Sequence, residues 1–148
     1  MQIRLIIKSE ISEALKLAWN TFMKYEAPEY SDEGIKTFKS FIEDKNEVEK
    51  LIIYGAFDGG KIVGILATKN DGKHISLFFV DGSRHKQGIG KCLFQEMLKN
   101  NSADRITVNS SPYAVDIYNH LGFTPVKEEQ LTNGIRYTPM IFINELNN

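Results

Sequence analysis

The chain has 148 residues, 42% hydrophobic and 25% charged, with a net charge of −1. That length suits one domain with a real core and is short for two, and the near-neutral balance argues against a dedicated nucleic-acid binder, which would be strongly basic. A single cysteine, Cys92, rules out an intrachain disulfide and removes the disulfide-stapled secreted class. The apolar pieces at the N-terminus are interrupted by Arg4 and Lys8, which fits neither a signal peptide nor a membrane span of about 20 apolar residues. The expectation is a cytoplasmic protein with one domain over 1–148, no membrane and no nucleic-acid partner.

In chain order, "IRLIIK" reads as a first strand. Ser9 offers an N-cap, and Ile11, Leu15, Ala18, Trp19 and Phe22 follow at helical spacing, predicting a helix over about 10–24. "EAPEYSDEG" breaks it. Ser31 with Asp32 and Glu33 marks a second helix start, because acids favour the positive end of the dipole, and Ile35, Phe38 and Ile42 supply its apolar face. After "DKNE" the period changes to three β-rich runs, "LIIYGAF", "KIVGILAT" and "HISLFFV". The hairpin signals "DGG" and "NDG" separate them, predicting an antiparallel meander.

"RHKQGIGKCL" then opens a helix with Ile89, Leu93 and Met97 on one face, and "RITVN" is a further strand. Ser110 or Ser111 can cap the next helix, Pro112 suits its first position, and Gly122 stops it. "FTPVKEEQL" and "IRYTPMIFI" close the chain as a hairpin across Asn133-Gly134, and the polar tail from Asn144 is expected to fray. The order β-α-α-β-β-β-α-β-α-β-β predicts an α/β (α+β) fold: a mixed, mostly antiparallel sheet of six to seven strands with helices on both faces.

The glycine stretch fails the common nucleotide motifs. A P-loop alignment puts His85 where glycine is required and Cys92 where Ser or Thr should be. A dinucleotide fingerprint should follow the first strand of a βαβ unit and end in a third glycine, where this chain has Leu93. What remains is a strand ending at Val80, a loop of seven residues and a helix beginning near Gly88. The free N–H groups of such a helix start suit a pyrophosphate-sized anion, with Arg84, Lys86 and Lys91 adding charge. The alternative is a capped helix start with glycine serving turn geometry only.

Taken with "VNSSPYAVDIYNHLGF", the chain resembles the GNAT superfamily of acyl-CoA-dependent N-acetyltransferases. His85-Lys86-Gln87-Gly88-Ile89-Gly90 stands at the family's [Q/R]-x-x-G-x-[G/A] loop, preceded by Val80-Asp81. Ala114, Tyr118, Gly122 and Phe123 match A-x-x-x-Y-x-x-x-G-F. His85 replaces the usual Gln or Arg, and Ser111 stands where many members have Asn.

The resemblance implies an acetyl transfer from acetyl-CoA to a primary amine of a small molecule or peptide, by direct attack in a ternary complex. It places the pantetheine arm along Phe78, Phe79 and Val80, in a gap between the fourth and fifth strands. The diphosphate falls on residues His85 to Lys91 (His85, Lys86, Gln87, Gly88, Ile89, Gly90, Lys91), with Asn109, Ser111 and Tyr118 completing the cofactor contacts. Tyr118 becomes the acid for the leaving thiolate. The base is open between Glu26, Asp116 and a water relay, with Glu26 preferred. No metal is expected, since His74, His85 and His120 have no ligand spacing. Pairing of two copies through the closing hairpin is left open. The rival reading is an acyl-CoA-binding sensor that has lost catalysis.

Overall fold

Two tight turns organise the sheet. Gly59-Gly60 and Asn133-Gly134 each hold two consecutive residues at positive φ (58° and 81°, 52° and 80°). That conformation matches the twist of two-residue hairpins. The computed structural model describes residues 1–145. Its strands are β1 (Gln2–Leu5), β2 (Ile52–Asp58), β3 (Lys61–Lys69), β4 (His74–Val80), β5 (Arg105–Ser110), β6 (Thr124–Pro125), β7 (Gln130–Thr132) and β8 (Ile135–Ile143). They form one sheet in the order β1-β2-β3-β4-β5-β8-β6, with β7 also on β8. Among the described residues only the β4–β5 pair is parallel. The strand total exceeds the expected six to seven because the closing arm splits. β7 pairs with the first part of β8, and β6 pairs with Met140 and Ile141 further along.

The helices are α1 (Ile11–Tyr25), α2 (Asp32–Glu43), α3 (Lys45–Glu49), α4 (Ile89–Lys99) and α5 (Val115–Leu121). Three sequence expectations need correction. Ser9 does not cap α1. It lies in a one-turn 3-10 helix at 8–10, where the Glu10 carboxylate accepts from the Ile7 amide (2.9 Å) and pairs with Arg4 (2.8 Å). "DKNE" is not a plain break, because the Asp44 carboxylate accepts from the amides of Asn46 and Glu47 and starts α3. The tail is not frayed at its root: Asn144 is fully buried, its amide bonded to the Asp104 carbonyl (2.8 Å) and its side chain to that of Ala103 (3.1 Å). Residues 146–148 lie outside the described residues.

Helices cover both faces. On one, Ala14, Ala18 and Phe22 of α1 pack on Ile65, Leu77 and Phe79; the alanines, fully buried, let α1 lie close to the sheet. On the other, Ile89, Leu93 and Met97 of α4 pack with Val63, Leu66, Tyr118 and Phe123. With both faces covered, β3 is buried from Ile62 to Thr68, so its near-continuous apolar run is what burial on two sides requires. Among the described residues no helix is long and apolar enough to cross a membrane.

The start of α2 sits against the β7–β8 turn. Ser31 accepts from the Gly34 amide (3.3 Å), and the Thr37 hydroxyl donates to the Asn133 carbonyl (2.7 Å). A Cβ on Gly34 would run into the Gly134 carbonyl, which is backbone and cannot rotate aside. Gly34→Ala should therefore push α2 off the hairpin and destabilise the fold by about 1–3 kcal/mol. Urea denaturation checks this, and an unchanged midpoint would show that the helix and turn are not held in register.

Candidate active site

β4 and β5 share only two register positions, His74 with Thr107 and Ile75 with Val108. Beyond these the strands are unpaired, although β4 continues to Val80 and β5 to Ser110. At the joined end His74 Nδ1 lies 2.8 Å from the Thr107 hydroxyl. Burial, helped by the charge of Lys69, holds the His74 imidazole down to about 4, so it serves there as a neutral partner. A register shift against β3 leaves Ser76 as an extra residue between Ile75 and Leu77, a bulge that bends β4 away from its neighbour.

The opening holds two adjoining clefts. The larger, about 360 Å³, runs from Phe78, Phe79 and Val80 to Ile117 and Tyr118, with Gly88, Ile89 and Gly90 at one end. The second, about 290 Å³, is walled by Phe22, Phe38 and Phe41, by Ser76 and Leu77 of β4, and by Ile135. Glu26, Phe78, Phe79, Ala114 and Tyr118 line both, which places Glu26 and Tyr118 where the clefts meet.

Glu26 follows the last turn of α1, its amide bonded to the Phe22 carbonyl (2.9 Å). Burial pushes its carboxyl up to about 7; the Ser111 hydroxyl pulls the other way, and the charge of Glu29 adds to the rise. Tyr118 lies on α5 and is buried between Phe78 (ring centroids 6.0 Å apart) and Phe123 (5.2 Å). Burial first, and then the charge of Glu26, pushes its phenol well above the usual tyrosine range. Among the described residues its hydroxyl has no hydrogen-bond partner. Tyr118 is thus a protonated donor facing the clefts.

At the glycine loop, Lys86 and Gly88 take positive φ (66° and 79°), and the space a Gly88 side chain would enter is empty. Gly88 is needed for its conformation and leaves the loop uncovered. Among the described residues, the amides from Gln87 to Gly90 find no acceptor within the chain. Unpaired amides at the head of an 11-residue helix, opening on a cleft, fit a diphosphate group.

The basic side chains are arranged differently from the sequence reading. The Arg84 guanidinium is engaged with Asp58 (2.6 Å) and is not a free phosphate partner. The His85 Nε2 bonds the Val80 carbonyl (2.9 Å) and its ring packs on Tyr25 (4.9 Å), although it lines the larger cleft with Lys86. Gln87 and Lys91 are exposed and line neither cleft. Asn109 and Ser111 line the second cleft, not the larger one. Asp116, weighed as a base, lines neither and is exposed.

Several lining residues were not picked out in the sequence. Tyr25 packs on His85 and on Tyr113 (5.5 Å), and a side chain on Gly82 would collide with its ring. Thr21 and Ile117 complete the larger cleft, and Tyr30 and Phe41 the second. No spacing links these positions; an aromatic run at the end of α1 was the one available hint. Among the described residues no group of three or more His, Cys, Asp or Glu side chains could hold a metal ion.

The family model described as an acetyltransferase (GNAT) domain matches residues 26–143. Comparison with curated proteins gives no significant sequence match. The fold is similar to that of a GCN5-related N-acetyltransferase from Rhodopseudomonas palustris (TM-score 0.82, 19% identity, 96% of this chain and 94% of that one). It is also similar to the PaiA N-acetyltransferase of Thermoplasma acidophilum, solved in complex with coenzyme A (0.69, 17%, 97% and 99%). A third similar fold is the ribosomal-protein-S18-alanine N-acetyltransferase of Escherichia coli (0.63, 17%, 96% and 92%).

The raised Glu26 carboxyl makes a stability prediction. The folded state keeps its proton up to about pH 7, whereas an unfolded glutamate loses it near 4.3. Between those values the folded state binds more protons, so this group lowers stability as pH rises. Glu26→Gln should therefore gain on the wild type as pH goes from 5 to 8, read as the difference between their melting temperatures. A constant difference would mean that Glu26 titrates as an ordinary exposed carboxyl.

Proposed function

Because the chain belongs to the GNAT acetyltransferase family, we propose that it transfers an acetyl group from acetyl-CoA to a primary amine of a small molecule or peptide, within a ternary complex. When acetyl-CoA is bound, the acceptor nitrogen attacks the thioester carbonyl, a C–N bond forms as the C–S bond breaks, and one proton passes from the amine to the departing sulfur. The observation that carries this reading is the placement of Glu26 and Tyr118 at the junction of two clefts. One cleft ends at unpaired loop amides suited to a diphosphate, and the other is free for the acceptor.

The chain's residues divide the work. The amides from Gln87 to Gly90 hold the donor's diphosphate end, with Lys86, which lines the same cleft, adding charge. The β4 edge at Phe78 and Val80, left unpaired by the strand split, takes the pantetheine arm as an added strand. Holding two reactants in line supplies up to roughly 7–11 kcal/mol of the barrier. Glu26, with a carboxyl near pH 7, is half ionised at neutrality and accepts the amine proton. Bases tuned near the working pH contribute roughly 10²–10⁴-fold.

Tyr118 acts at the sulfur. Its phenol is raised above about 10, whereas a thiol has a pKa near 8.5, so complete proton transfer to the thiolate is uphill. Its main contribution is a hydrogen bond to the sulfur as charge develops there, with the proton returning through solvent or Glu26.

Free-thiol release from acetyl-CoA over a panel of amines tests the reading. Tyr118→Phe should keep coenzyme A affinity and reduce kcat by roughly 10²–10³-fold, the cost of losing one donor to developing charge. Full turnover in the variant removes Tyr118 from the chemistry. Coenzyme A binding with no thiol release on any amine favours a cofactor-sensing domain instead. In the active protein kcat/KM should rise with pH through about 7, and Glu26→Gln should lose that ascending limb.

A further inference from the structure

The second cleft carries information about the acceptor that the larger one does not. Its walls are aromatic and aliphatic. Phe22 and Phe38 stack with ring centroids 4.0 Å apart and planes 9° from parallel, and Phe38 meets Phe79 edge-on at 5.8 Å. Among the described residues lining it, Glu26 is the only charged side chain. Two of its hydroxyls are already engaged, Tyr30 with the Arg136 carbonyl (3.2 Å) and Thr37 with that of Asn133 (2.7 Å).

Ser76 differs. It lines this cleft, and among the described residues its buried hydroxyl has no partner. It lies two residues along β4 from Phe78, which lines the junction; that is about 7 Å in an extended strand. The cleft therefore presents one carboxyl where it joins the larger cleft, the stacked Phe22–Phe38 rings and one unsatisfied buried hydroxyl, with Asn109 and Ser111 as further polar lining.

We infer that the acceptor is a small primary amine on an aromatic body, with a hydrogen-bonding substituent on the ring far from the amine. The inference rests on the acetyl-transfer reading for its chemistry and on the second cleft for its selectivity. The ammonium group meets Glu26 before giving up its proton. The ring fills the space between Phe38 and Leu77, and the ring substituent satisfies Ser76. A polyamine or an aminoglycoside would bring several cations or hydroxyls into the cleft, more than its single acid and the Ser76, Asn109 and Ser111 side chains can partner. Burying these without partners is unfavourable.

The test compares tyramine, 2-phenylethylamine, ethylamine and spermidine as acceptors for the full chain. It uses thiol release, with calorimetric titration of tyramine into the coenzyme A-loaded protein. Tyramine should exceed ethylamine in kcat/KM by roughly tenfold or more, with spermidine poorest. Tyramine should also exceed 2-phenylethylamine, and Ser76→Ala, a change small enough to keep the strand, should abolish that last difference. Spermidine or ethylamine equalling tyramine overturns the inference while leaving acetyl transfer intact. Tyramine binding without thiol release supports the inference and removes the acetyl-transfer reading. Absence of both tyramine binding and thiol release overturns it.

Discussion

The early parting of two parallel strands is the constraint on which the site depends. A β-strand in a sheet interior normally has both edges paired. Here β4 is paired with β3 along its length, but with β5 only at His74 and Ile75. The bulge at Ser76 bends it, and β5 turns instead to β8, with which it pairs from Arg105 to Ser110. The resulting opening in the middle of the sheet would be unstable if it were left to solvent on both faces. It persists because α1 and α2 close one face and α4 and α5 the other, each with its own hydrophobic cluster.

That opening also accounts for the electrostatics. Glu26 and Tyr118 come from opposite faces of the sheet, one at the end of α1 and the other on α5, and they meet because the strands between them are apart. Tyr118 is held away from water by Phe78 and Phe123, and Glu26 is half-buried. Burial is the leading cause of both pKa displacements; the charge of Glu29 adds to the rise at Glu26, and the charge of Glu26 adds to that at Tyr118. A carboxyl that ionises near neutrality beside a phenol that does not is the kind of pairing in which environment separates acid and base roles.

The loop before α4 shows a division between backbone and side chain. Its side chains mostly hold neighbouring elements or face solvent: Arg84 is tied to Asp58, His85 to Val80 and Tyr25, and Gln87 and Lys91 are exposed. Its amides remain unpaired. The motif is therefore better understood as a backbone device. Gly88 permits the turn, and basic residues of the motif are partly used to hold the loop's shape.

Much of the fold was legible from local chemistry. Alternation and paired turn residues mark the meander, a helix follows Gly88, Ser31 caps α2, and Gly122 ends α5 with φ 108°. Two ordered motifs carried the family. These features are set within a few residues of one another, so the chain spells them out directly. What the chain alone could not settle depends on contacts between distant segments. Asn144 is buried against the backbone of 101–104. Arg84 finds Asp58 across the sheet, and Tyr25, Ser76 and Ile135 gather around clefts that exist only once the strands part. The choice between Glu26 and Asp116 shows the difference most clearly. In the sequence both are acids near the right elements, and only the tertiary structure brings Glu26, half-buried, to the junction of the two clefts and leaves Asp116 exposed outside them.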